Sequence, residues 1–145
     1  MSYCLFAYGT LEDPRRLQTL TGHHYPGRMA RLEGYRCARV KGARYPGVIA
    51  TPGRHTDGTL FCGLNGRALR RLDRYEGRLY RRESRRVVDG DGQAWMAEVY
   101  VVPAAKRRHL TAHTWRPMVV VGRASARLPN ERHPACAIRF NPIIA

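Results

Sequence analysis

The segment from Gln93 to Val102 places the tightest limit on how this chain can fold. Read as a strand, it puts Trp95, Ala97, Val99 and Val101 on one face and Ala94, Met96, Glu98, Tyr100 and Val102 on the other, because successive side chains alternate between faces. Both faces are largely apolar, so the strand must be covered on both sides and belongs in the interior of a sheet. A second strand, Leu79 to Asp89, precedes it across Asp89-Gly90-Asp91-Gly92. Asp-Gly pairs between apolar runs are strong hairpin formers.

The remaining elements group around that hairpin. Tyr3 to Tyr8 reads as a short buried strand, followed by a change of texture at Gly9-Thr10-Leu11. Asp13 then Pro14 marks a helix start, Leu17 and Leu20 give the helix an apolar side, and Gly22 ends it. Gly27 to Val40 fits one or two strands around Gly34. Tyr45-Pro46-Gly47 reads as a turn feeding a strand through Ala50, and Gly58 to Leu64 is a separate strand candidate. A second helix is capped by Asn65, carries Ala68, Leu69, Leu72 and Tyr75 at helical spacing, and stops at Gly77. Residues 103–145 have no durable period, apart from a possible short strand at Val119 to Val121, and are expected to form a basic C-terminal extension peripheral to a domain spanning 1–102. There is no internal repeat.

Composition narrows the class. In 145 residues, 43% hydrophobic against 26% charged supports a packed core rather than disorder. No apolar run approaches the roughly 20 residues of a membrane-spanning helix, and the N-terminus lacks a signal-peptide layout; a soluble, cytoplasmic protein is expected, with no membrane partner. The net charge of +15 rests on 26 basic residues, of which only Lys41 and Lys106 are lysine. So one-sided an arginine content points to a coding bias more than to selection for a polyanion. Cys4, Cys37, Cys62 and Cys136 form no Cys-x-x-Cys pair, and reduced, mostly buried thiols are expected.

Two pieces of sequence could carry chemistry. One is Tyr8-Gly9-Thr10-Leu11, where a glycine lets the backbone turn and a ligand approach, and successive N–H groups can form an anion-binding concavity. The other is Glu76, seven residues after Leu69 and four after Leu72. At 3.6 residues per turn it shares their inward face. A desolvated carboxylate has a raised pKa, which suits it to exchange protons near neutrality. Nine arginines, at 67, 70, 71, 74, 78, 81, 82, 85 and 86, together with Glu83, surround it in sequence; any that came close would pull that pKa down, and Arg78 or Arg82 could neutralise the group.

Taken in order, Leu5-Phe6-Ala7-Tyr8-Gly9-Thr10-Leu11, Leu32-Glu33-Gly34-Tyr35, Tyr45-Pro46-Gly47-Val48, Gly63-Leu64, Leu72-Asp73-Arg74-Tyr75-Glu76-Gly77, Tyr80-Arg81-Arg82 and Ala97-Glu98-Val99-Tyr100 resemble the γ-glutamylcyclotransferase-like family, in particular its γ-glutamylamine cyclotransferase-type branch. The resemblance covers residues 3 to about 102; a family ending in which a Trp lies close after a Gly is blurred at His113-Thr114-Trp115. It implies an α+β fold built on a small mixed β-barrel with flanking helices. It further implies an enzyme that releases 5-oxoproline and a free amine from a small-molecule γ-glutamyl compound, with no metal or cofactor. Glu76 matches the catalytic Glu. Gly9, Thr10 and Leu11 would bind substrate through backbone N–H groups, Tyr8 lies in the cavity motif, and Tyr45, Tyr80 and Tyr100 are further lining candidates.

Other readings compete. Arg70 to Arg86 with Tyr75 and Tyr80 interleaved is a basic surface of the kind that binds nucleic acid without sequence preference, although no nucleic-acid-binding motif accompanies it. A non-catalytic small-molecule binder on the same fold is a third reading. His109 with His113 and His133 with Cys136 have metal-like spacing, but without a third well-spaced pair or an adjacent carboxylate motif surface histidines are the better explanation.

Overall fold

The computed structural model describes residues 1–114. Strand β1 (Tyr3–Ala7) leads through a 3-10 turn at Thr10–Glu12 into helix α1 (Pro14–Thr21). Long strands β2 (Gly27–Val40) and β3 (Pro46–Leu64) follow, then α2 (Gly66–Glu76), β4 (Arg81–Asp89), β5 (Ala94–Val101), a second 3-10 segment at Ala104–His109, and β6 (Leu110–Thr114).

The strands close into a ring. β1 pairs antiparallel with β3, β3 with β2, β2 with β4 and β4 with β5, and β5 returns to β1 in parallel through Leu5 and Glu98. The result is a five-stranded mixed barrel with β6 added along β2, the α+β architecture expected from the sequence. β5 is interior to the sheet, as its two apolar faces require. Ala97, Val99 and Val101 join Phe6, Leu32, Val48 and Leu60 inside the barrel. Tyr100, from the opposite face, packs with Leu17, Leu69 and Leu72 of the two helices on the outer wall.

Local chemistry accounts for the helix boundaries. The Asp13 side chain accepts from Arg15 N–H at 2.9 Å with Pro14 in the first turn, and Gly22 ends α1. Asn65 Oδ1 accepts from Ala68 N–H at 2.9 Å at the start of α2, and Gly77 at φ 81° ends it. A positive φ there favours glycine, so the residue after Glu76 fixes where the helix stops.

Several expectations need correction. Residues 46–64 form one strand of 19 residues, not a turn-fed strand and a separate one; the register against β2 jumps between Glu33–His55 and Tyr35–Ala50, so Thr51 to Arg54 bulge out opposite Gly34 without ending the strand. Leu79 and Tyr80 precede β4. Tyr75 is 41% exposed rather than part of the apolar stripe. The sheet continues past Val102, since β6 pairs with β2 and Leu110 is buried against Val40, Ile49 and Val102. The suggested strand at Val119 to Val121, Trp115, and the metal-spaced partners His113, His133 and Cys136 lie outside the residues whose side chains are described.

The cysteines differ most from expectation. Cys4 and Cys62 form a disulfide, and no described cysteine is a free thiol. The β1–β3 register sets Cys4 directly opposite Cys62, with Cα atoms 3.9 Å apart. Closing a loop across a sequence separation of 58 removes unfolded-chain entropy worth about 4 kcal/mol in the chain-entropy model. The Cys4→Ser/Cys62→Ser double variant is therefore expected to lose about 2–4 kcal/mol in denaturant titration, and the parent to melt lower after reduction. Identical melts with and without reductant would contradict the pairing.

Candidate active site

β1 ends where the barrel meets α2, and this junction builds a pocket of about 460 Å³. Its wall includes every residue singled out from the sequence: Tyr8, Gly9, Thr10, Leu11, Tyr45, Glu76, Tyr80 and Tyr100. Phe6, Ala7, Pro46, Tyr75, Arg78 and Leu79 complete it. Residues far apart in the chain thus converge because β1, β3, α2 and β5 each end at, or pass, the same rim.

The 9–11 segment is shaped by close packing as much as by flexibility. A Cβ on Gly9 would lie 2.9 Å from Pro46 Cγ, closer than side chains pack, so glycine lets β1 turn against β3. The turn is closed by Glu12 N–H donating to the Gly9 carbonyl at 2.9 Å. The N–H groups opening such a turn have no acceptor within it, and residues 9–11 line the pocket. Behind it, buried Glu12 accepts from the Thr59 hydroxyl at 2.8 Å, anchoring the turn to β3.

Three tyrosines form a wall whose hydroxyl protons are already committed. Tyr8 Oη donates to the Tyr100 carbonyl at 2.5 Å, Tyr80 Oη to the Pro46 carbonyl at 2.6 Å, and Tyr100 Oη to Asp73 Oδ1 at 2.7 Å. Burial raises all three phenols above their ordinary value, and the nearby Glu76 carboxylate adds to the effect. They are therefore neutral and held in place.

Glu76 is different: it makes no hydrogen bond or ion pair among the described residues, and burial raises its pKa from 4.5 to about 7. The arginines do not reach it. Arg82 is held by Asp73 at 2.7 and 3.1 Å and by Glu98 at 2.6 Å; Arg81 and Arg85 pair with Glu83. Among the described residues no positive charge offsets the effect, and desolvation is what raises the value. Asp73 was missed by sequence reasoning. Burial pushes its carboxyl up, but hydrogen bonds from Arg82 and Tyr100 outweigh that and hold it below its usual range. Its position three residues before Glu76, on the neighbouring flank of the same helix, was the available signal.

A lone carboxylate poised to gain or lose a proton near neutrality, in a tyrosine-lined pocket shared with the 9–11 turn, can serve proton transfer at a bound small molecule. The chain matches the family described as gamma-glutamyl cyclotransferase, AIG2-like, over residues 5–117, and it belongs to that family. The match runs past Val102, where the resemblance read from the sequence ended. The chain is similar to AIG2-like protein A of Arabidopsis thaliana, 28% identical over 93 residues, covering 64% of this chain and 56% of that protein; it spans little more than half that relative's length. Among solved structures, an Arabidopsis thaliana protein determined in solution is 25% identical with a TM-score of 0.68, over 75% of this chain and 67% of that one. A structure described as gamma-glutamyl cyclotransferase, 19% identical with a TM-score of 0.62 over 70% of this chain and 67% of that one, shares the fold.

The isolation of Glu76 has a cost in stability. Its folded pKa of about 7 exceeds its ordinary 4.5, so between these values the native state binds more protons than the unfolded chain, and stability falls as pH rises through that window. The Glu76→Gln variant is expected to be more stable than the parent at pH 8, by on the order of 2–3 kcal/mol at most. The gap should narrow as the pH falls and close below 4.5, where the unfolded chain also takes up the proton. Urea titrations across this range measure it, and a constant difference would show that Glu76 titrates normally.

Proposed function

We propose that the protein is a γ-glutamyl cyclotransferase that releases 5-oxoproline and a free amine from a γ-glutamyl compound. The observation that carries the reading is the unpaired Glu76 carboxylate, with a pKa of about 7, opening onto the same pocket as residues 9–11. Family membership supports it.

The reaction asks little of a protein, because nucleophile and electrophile belong to one molecule and a correctly folded substrate already supplies much of the orientation. Ionised Glu76 takes a proton from the substrate's α-ammonium. The freed amine nitrogen attacks the γ-carbonyl carbon, and the carbonyl π electrons move to its oxygen. Backbone N–H groups of Gly9, Thr10 and Leu11 hold that oxyanion or the substrate's α-carboxylate. As the oxyanion collapses, the bond to the leaving nitrogen breaks, and Glu76 returns its proton there. The attacking nitrogen sheds a second proton to solvent, and the released amine takes one up. These steps need proton handling and charge stabilisation, with no cofactor. Tyr8, Tyr80 and Tyr100, with protons pinned elsewhere, shape the cavity and exclude water, and Tyr45 flanks its mouth.

Incubation with a panel of γ-glutamyl amines and γ-glutamyl amino acids is expected to yield 5-oxoproline. Glu76→Gln should lower the rate by about 10²–10⁴, the usual contribution of a positioned acid–base group, with circular dichroism unchanged. In the parent, kcat/KM should rise with pH through a midpoint near 7, where Glu76 ionises. No product from any panel member, or full activity in Glu76→Gln, would sink the reading.

A further inference from the structure

Arg78 follows Glu76 by two residues, lines the same pocket and is exposed. It is the one cationic side chain among the described residues of that wall, and it has no acidic partner there, whereas Arg81, Arg82 and Arg85 around it are all paired. It shares the wall with Glu76 without forming an ion pair. Its backbone is tied down: Lys106 Nζ, reaching back from the 3-10 segment after β5, donates to the Arg78 carbonyl. The segment that carries Arg78 is therefore braced. Tyr45, 46% exposed, and Tyr75 also stand on the pocket wall. Large exposed aromatic rings contribute little to the core and are suited to contact with a ligand.

The pocket is also larger than the acyl group requires. At 460 Å³ it holds the liquid volume of roughly fifteen waters, more than a five-carbon glutamyl unit fills. With the glutamyl half at residues 9–11 and the scissile nitrogen at Glu76, the remaining space at the rim must take the leaving half.

We propose that Arg78 reads an anionic group on the leaving amine, with Tyr45 and Tyr75 flanking it, so that the site prefers γ-glutamyl compounds whose leaving half carries a negative charge over neutral ones. This rests on the cyclotransferase reading of the same pocket. A guanidinium presents paired donors that match a carboxylate or a phosphate monoester, and both sources are covered by the test.

Three probes that share the glutamyl half separate the possibilities: γ-glutamylglycine, its neutral carboxamide, and γ-glutamyl-aminoethyl phosphate. The parent is expected to favour the anionic probes in kcat/KM by about tenfold, the scale of one charge-assisted hydrogen bond. The preference for γ-glutamylglycine over the phosphate, or the reverse, names the anion. In Arg78→Gln the anionic-to-neutral ratio should fall towards one, and in Arg78→Glu it should invert; Arg78→Lys should keep part of it. Equal losses on charged and neutral probes would place Arg78 on the shared glutamyl half and overturn the inference, as would a parent with no preference. Calorimetric binding of the same probes to Glu76→Gln distinguishes the two levels. A charge preference in binding without turnover in the parent keeps the subsite and removes the cyclisation, whereas no binding of any probe removes both.

Discussion

β1 is the strand on which the barrel depends. It is antiparallel to β3 on one side and parallel to β5 on the other, so it closes the ring that the β4–β5 and β2–β3 hairpins leave open. Its alternation serves two cores at once: Phe6 and Tyr8 point into the barrel, while Leu5 and Ala7 face the helices. Parallel closure also decides where the strand ends. The chain leaves the ring at Tyr8 beside Pro46 and Tyr100 and must turn at Gly9 under Pro46, and that turn is one wall of the pocket.

The second constraint is electrostatic. A chain of this charge could hardly keep a carboxylate free among arginines unless other acids occupied them. Asp73 and Glu98 take Arg82, Ser84 adds a hydrogen bond to Glu98, and Glu83 takes Arg81 and Arg85. Tyrosine hydroxyls that could have stabilised ionised Glu76 donate instead to backbone carbonyls and to Asp73. Arg81, Arg82, Arg85 and the three phenols are thus engaged elsewhere, and desolvation is what raises the Glu76 pKa. Asp73 works for Glu76 indirectly, drawing off both a cation and a phenol.

What could be read from the sequence follows the range of the forces involved. The start and stop of α2 were legible because Asn65 and Gly77 act within one turn, and the inward direction of Glu76 because helical spacing is rigid. The continuity of β3 through Thr51 to Arg54 was not. Pro52-Gly53 carries a strong local turn signal, and only pairing with β2 overrides it. The Cys4–Cys62 disulfide was hidden for a related reason: a separation of 58 residues says nothing about pairing until the β1–β3 register is known. Asp73 and Arg78 lay within or beside the quoted motif, yet their importance depends on which arginines find partners, a property of the folded surface alone.

The division of charge along the chain takes on a different meaning once the pairs are assigned. Residues 1–102 hold 18 basic and 10 acidic residues, a surplus of 8. Much of the acid in this part is spent inside the fold: Asp57 on Arg31, Asp89 on Arg28, Asp73 and Glu98 on Arg82. The arginines left over, such as Arg67, Arg70, Arg71 and Arg74 on the outer side of α2, are exposed and without ion pairs among the described residues. On this helix Glu76 lines the pocket, Asp73 sits half-exposed on the adjacent flank, and the four arginines face solvent. The surplus positive charge of this helix therefore lies on its solvent side, apart from the carboxylate that lines the pocket.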